Sequence, residues 1–187
     1  ILVNSMLVFL ERGVNQVTVQ DLLDAAGISR RTFYKYFRNK VDVLESLYKL
    51  AVDIMVVSYK ASVGNARTVG EVADCMPGVF FDYHHDLAPV IRMMQEEAIR
   101  TDSPLAPYRK AAMRTVAGVV NEEIRRITGR SIDPLIIHSL LWGMEGMSIE
   151  FLRGDADSVN DIAHARKVVS GIAEAALHKA VNDSSRE

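Results

Sequence analysis

Five times along this chain a residue suited to capping a helix stands at the head of a helix-like stretch. These are Thr18 in TVQD, Ser29 in SRRT, Asn39 in NKVD, Thr68 in TVGE and Ser158 in SVND. In four of the five an acid follows three residues later, the pattern of a capping box. Ser103-Pro104 and Asp133-Pro134 repeat the signal with proline at the first helical position. Apolar residues then recur at spacings of three and four, as in Leu44, Leu47, Tyr48, Ala51 and Met55. No alternating strand and no Asn-Gly or Asp-Gly hairpin interrupts this pattern. The punctuation predicts an all-α fold, with helices near 1–12, 18–25, 29–36, 40–63, 68–84, 86–99, 104–128, 133–153 and 158–181. Pro77-Gly78 should kink or split the fifth, because proline removes a helical donor and clashes one turn back.

The charge is unevenly placed. The whole chain of 187 residues has a formal net charge of −2. Residues 1–50 hold seven Lys/Arg against five Asp/Glu, and residues 51–187 hold fifteen against nineteen. A basic head on an acidic body suits a polyanionic partner. The head is expected to span 1–40 and a larger helical regulatory domain 41–187. The single Cys75 excludes an internal disulfide, and no Cys/His spacing suggests a zinc site. No apolar run approaches the roughly 18 residues of a membrane span, and no signal-peptide pattern is present, so a cytoplasmic protein is expected. The opening on Ile1, inside an apolar segment, leaves room for an N-terminal piece ahead of it.

Within the head, the stretch AGISRRTFYKYFRNK (26–40) carries five basic residues and no acid. Leu22, Leu23 and Ala26 supply the apolar contacts of one short helix. Gly27 stops it in the left-handed conformation, Ile28 plugs the gap and Ser29 caps the next helix. There Phe33 and Phe37 lie four apart on an inward stripe, while Arg30, Arg31, Tyr34, Lys35 and Arg38 fall on the opposite one. This is a helix-turn-helix, whose second helix enters the DNA major groove. Arginine binds guanine through two donors, whereas hydroxyls and tyrosine rings serve phosphates or thymine methyls. Thr18 and Lys40 start helices, where side chain and backbone N–H groups suit phosphates.

Thr18, Leu22, Ala26-Gly27-Ile28-Ser29, Thr32-Phe33-Tyr34, Tyr36-Phe37, Lys40 and Leu44 together resemble the N-terminal signature of tetracycline-repressor (TetR) type regulators. The likeness spans residues 18–44. It implies an all-α homodimer, an N-terminal domain that binds palindromic operators in double-stranded DNA, and a divergent C-terminal domain that takes a small-molecule effector. It also implies base contacts from Arg30, Arg31, Thr32 and Tyr34, and phosphate contacts from Thr18, Lys35, Tyr36 and Lys40. Leu23 replaces a commonly smaller residue, and the visible chain lacks the basic arm that often precedes the first helix in that family.

The body carries two further patterns. Ser139, Gly143 and Gly146 form a small-residue stripe, and a mid-helix glycine costs about 1 kcal/mol relative to alanine. A close-packed neighbour would account for both glycines. With Ile162, Ala165, Val169, Ala173 and Ala176 on the last helix, they are the expected dimer interface, on helices near 133–181. The other pattern is a supply of adaptable apolar groups for a small apolar or amphipathic effector: Met55, Phe80, Met94, Met113 and Trp142, with Tyr59, Tyr83 and His84 as polar partners. His84-His85 is not a metal motif, since neighbours on a helix point about 100° apart. No nucleophile elbow, phosphate-binding glycine loop or His-Glu-x-x-His motif is present, so neither an enzyme nor a cofactor is expected. The expectation is a ligand-responsive transcriptional regulator, a repressor first. The alternative is a helical small-molecule-binding or adaptor protein without specific DNA binding.

Overall fold

The computed structural model describes residues 1–82, 88–153 and 159–184. Among these residues the backbone forms ten helices and no strand. They are α1 (Leu2–Arg12), α2 (Val19–Ala26), α3 (Arg30–Tyr36), α4 (Lys40–Val63) and α5 (Val69–Cys75), followed by α6 (Gly78–Phe81), α7 (Ala88–Ile99), α8 (Ala106–Thr128), α9 (Pro134–Arg153) and α10 (Val159–Asp183). The caps explain where they start. Thr18, Ser29 and Thr68 each accept a hydrogen bond from the backbone N–H three residues on. Asn39 Oδ1 does the same for Asp42 at 3.0 Å. Ser103 Oγ and Asp133 Oδ1 accept from the N–H groups of Leu105 and Leu135. Ser158 lies outside the described residues. Pro77-Gly78 splits the expected fifth helix into α5 and α6, as a missing donor at Pro77 dictates.

Packing divides the chain into two compact units, Ile1–Asp53 with Pro89–Arg109, and Ile54–Ala88 with Lys110–Glu187. The first unit runs past the expected domain end at residue 40 and takes in a distant segment. The reason is size, since about forty residues bury too little apolar surface to stand alone. Phe9, Val17, Leu22, Phe33, Val43 and Leu44 make its core, and Met94, Ala98 and Leu105 complete it.

The second unit is built around α10, which packs on α5 and α9, while α6 packs on α9. Met76, Ile124, Ile137, Leu141 and Leu177 are fully buried at its centre. Polar ties close its loops. Arg126 donates to the Ala66 carbonyl at 2.5 Å, Ser148 Oγ to the Phe80 carbonyl at 3.2 Å, and the Ile132 N–H to Asn121 Oδ1 at 3.0 Å. No described helix is long and apolar enough to cross a membrane.

Phe33 has no solvent exposure, whereas Phe37 is only partly covered. Phe33→Ala should therefore cost about 3–5 kcal/mol of stability, and Phe37→Ala clearly less. Urea unfolding of the two variants measures this, and equal losses would contradict the anchoring role given to Phe33.

Candidate nucleic-acid interface

The interface is assembled from the turn upward. At the start of α2, Thr18 and Asp21 form a reciprocal capping box: Thr18 N–H donates to Asp21 Oδ2 at 2.9 Å, and Asp21 N–H to Thr18 Oγ1 at 3.3 Å. Arg12 on α1 reaches the other carboxylate oxygen at 2.6 Å. The Thr18 hydrogen bonds, backbone first, hold the Asp21 carboxyl below its ordinary value of 3.8; burial opposes them, and Arg12 adds to them. Gly27 ends α2 in the left-handed region, at φ 62°, which any other residue occupies at a cost. The Ile28 N–H then donates back to the Leu23 carbonyl at 3.2 Å, closing the turn.

Ser29 caps α3 through the Thr32 N–H, and its hydroxyl also meets that of Thr32 at 2.9 Å. With Phe33 buried, ring contacts to Tyr34 (5.4 Å) and Phe37 (5.7 Å) fix the helix rotation. Arg30, Arg31, Thr32, Tyr34, Lys35 and Tyr36 are all exposed, the two tyrosines at 51 % and 61 %. Exposed cations and hydroxyls of this kind can contact phosphates and base edges. Lys35 Nζ lies 5.4 Å from the centre of the Tyr36 ring.

The cations differ in how they are held. Arg31 makes no hydrogen bond or ion pair among the described residues. Arg30 donates to Gln20 Oε1 at 3.0 Å, and Gln20 in turn donates to Asp24 Oδ1 at 2.8 Å. Gln20 escaped the sequence reading, because nothing in its spacing marks it as the holder of an arginine ten residues on. Arg38, placed by the sequence on the outward stripe, instead clasps Asp42 with two nitrogens at 2.7 and 2.6 Å. That clasp holds the Asp42 carboxyl low. Lys40 donates to three carbonyls, those of Val14, Asn15 and Val17, at 3.1, 2.9 and 2.7 Å. An ammonium has three donors, so Lys40 holds the loop before α2 rather than offering a free ammonium at the surface.

The remaining expected site residues are scattered. Met55 and Tyr59 line a cavity in the second unit, while Phe80 and Met113 are buried in that unit's core. Met94 is buried in the first unit, so it does not join them. Trp142 is 51 % exposed and lies beside His138. Tyr83 and His84 lie outside the described residues.

The interface expectation on α10 needs correction. Ala165, Val169 and Ala173 are buried in the chain's own core, Ile162 packs against it, and Ala176 is half-covered. The outward stripe of α10 is one position earlier, with Val168 and Ile172 exposed. On α9, Ser139, Gly143 and Gly146 are exposed beside Leu135 and Trp142. Among the described residues no group of three or more His, Cys, Asp or Glu is placed to hold a metal ion.

Residues 1–47 match the family described as bacterial regulatory proteins, tetR family. Over 40 residues the chain is 45 % identical to the HTH-type transcriptional repressor BepR of Brucella suis biovar 1 (strain 1330), covering 21 % of this chain and 19 % of that protein. It is 22 % identical over 122 residues to the HTH-type transcriptional activator FasR of Mycolicibacterium smegmatis (strain ATCC 700084 / mc(2)155), covering 65 % of this chain and 56 % of that one. The similarity thus spans less than two thirds of either relative's length. In fold, the chain resembles the transcriptional regulator FadR from Bacillus subtilis in complex with stearoyl-CoA. The TM-score is 0.76 at 17 % identity, over 94 % of this chain and 96 % of that one.

The Asp21 carboxyl generates a prediction on acid stability. Its folded pKa lies below the unfolded value, so its stabilisation is full above about pH 4 and is lost as pH falls through the folded value. Asp21→Asn should therefore flatten part of the acid limb. Urea midpoints at about pH 5 and about pH 2.5 for both proteins check this, and parallel curves would remove Asp21 from the account.

Proposed function

We propose that this chain, which belongs to the TetR family of bacterial regulatory proteins, is a ligand-responsive transcriptional repressor that binds palindromic operator DNA as a homodimer in the cytoplasm. The observation that carries the reading is α3 itself. It presents the guanidinium of Arg31, uncommitted among the described residues, beside exposed Thr32, Tyr34 and Lys35, over a wholly buried Phe33. Arg31 and the restrained Arg30 would meet base edges with Thr32 and Tyr34, while Thr18, Lys35 and Tyr36 would meet phosphates. Lys40 would contribute through the loop it holds and through the N-terminus of α4.

Selection of bound duplexes from a random library at about 150 mM salt tests the reading. The wild type should enrich a palindrome with half-sites about 34–36 Å apart. Arg31→Ala and Tyr34→Ala should each lose about tenfold or more in affinity for it while remaining dimeric by sedimentation. A variant that still selects the same palindrome at full affinity would remove that residue from base readout.

The dimer would form on the exposed residues of α9 and α10, among them Leu135, Trp142, Val168, Ile172 and the two glycines. A Cβ built on Gly143 or Gly146 meets nothing within 4 Å in the isolated chain. The glycines are therefore not needed by the chain's own packing, which supports a close-packed partner as their reason. Replacing both with alanine should stabilise the isolated helix by about 1 kcal/mol each and yet weaken dimerisation. Unchanged dimer affinity would argue against close approach at this stripe.

The effector would be amphipathic, in keeping with the methionine- and phenylalanine-rich second unit and with the stearoyl-CoA bound by the similar FadR. It would act only through different affinities for two spacings of the paired heads. The helix α4, which begins in the first unit and ends in the second, would be the transmitter.

A further inference from the structure

Arg30 is the first residue of α3, a place where the helix dipole disfavours a cation. Its charge is nevertheless bound into a relay. Arg30 Nη2 donates to Gln20 Oε1 at 3.0 Å, and Gln20 Nε2 donates to Asp24 Oδ1 at 2.8 Å. The relay runs one way only. A carboxylate accepts and does not donate, so Asp24 takes the NH2 of the amide and turns its oxygen toward Arg30. The reversed amide would set donor against donor at Arg30 and acceptor against acceptor at Asp24. Gln20 and Asp24 stand one turn apart on α2, and α2 is firmly seated. Its Leu22 and Leu23 are buried, Asn4 Nδ2 on α1 donates to the Ala25 carbonyl at 2.8 Å, and Arg12 grips Asp21. Gln20, Asp24 and Arg30 are all exposed, and polar pairs in such places add little stability. What the relay fixes is the direction of a long side chain.

We propose that Gln20 is a positioning residue that sets specificity, holding Arg30 ready to read one guanine in each half-site. The inference rests on the DNA-binding reading above. A guanidinium has five N–H donors, the relay uses one, and guanine O6 and N7 take two, so the held Arg30 keeps enough for a bidentate contact. Holding it before DNA arrives removes rotamer freedom that binding would otherwise have to freeze. An unheld arginine can also turn aside to a phosphate, a contact that carries no sequence information. Gln20 therefore governs discrimination at one base pair more than it governs overall affinity. Arg31, which has no such hold among the described residues, supplies the internal control.

The test is a double-mutant cycle on the full chain. Duplexes are selected from a random library at about 150 mM salt, and the enriched duplex is then changed at each base pair of its half-sites. Arg30→Ala should lose about tenfold in preference for guanine at one position. Gln20→Ala should lose most of that factor at the same position, while its affinity for mixed-sequence DNA stays within about twofold of wild type. The double variant should lose no more than Arg30→Ala alone, whereas Gln20→Ala and Arg31→Ala should add. Both side chains of the relay are exposed, so urea midpoints should not move. Additive losses in the Gln20–Arg30 pair, an unchanged preference in either single variant, or a midpoint that falls with the preference would overturn the proposal and leave the DNA-binding reading standing. So would a Gln20→Ala loss at a position that Arg30→Ala leaves intact, which would make Gln20 a reader of DNA in its own right. A wild type that enriches no duplex would overturn both.

Discussion

The outward face of α3 depends on one ring being out of water. Phe33 is the inward residue of a helix only seven residues long, and so short a helix has little stability of its own. Its position is set almost wholly by what its buried side chain touches. Tyr34 packs edge-on against that ring and Phe37 tilts against it one turn later. The rotation that hides Phe33 is therefore the rotation that turns Arg31, Tyr34 and Lys35 outward. Capping by Ser29 and the left-handed Gly27 fix where the helix starts, and the aromatic anchor fixes which way it faces.

That anchor needs a floor, and the first forty residues do not provide all of it. The chain completes the floor with the first half of α4 and with Met94, Ala98 and Leu105, contributed from far along the sequence. The polar network does comparable work at the surface. Arg12 clamps the capping box, Arg38 clasps Asp42 at the entrance to α4, and Lys40 gathers three carbonyls of the loop before α2. Tyr108 adds a hydrogen bond to Glu45 at 3.3 Å within the same unit. Much of the positive charge that marks the head in the sequence thus stabilises its own backbone and carboxylates.

Local signals were the legible part. Caps at Thr18, Ser29, Asn39 and Thr68 act through bonds to residues three away, so they can be read without knowing the fold. The break at Pro77-Gly78 is equally local. The inward Phe33 and the outward Arg30, Arg31, Tyr34 and Lys35 followed from helical spacing, since one face must be buried. Spacing tells that a face is apolar but not what covers it, and there the reading went astray. Ala165, Val169 and Ala173 looked like a surface for a partner and are covered by α5 and its neighbours in the same unit. Met94 looked like part of an effector pocket and belongs to the other core. The clasps made by Arg38 and Lys40, and the hold of Gln20 on Arg30, depend on loop geometry that residue types alone do not disclose.

The brevity of α3 would also limit how much text one head could read. Seven helical residues extend over about 10 Å at about 1.5 Å each, which is the length of about three base-pair steps at about 3.4 Å. A word of three base pairs recurs by chance about once in every 64 positions, far too often to single out one address among the million or more competing sites of a genome. A second such word at a fixed separation would make a chance match about 64 times rarer, which is what the pairing of two heads would add to one.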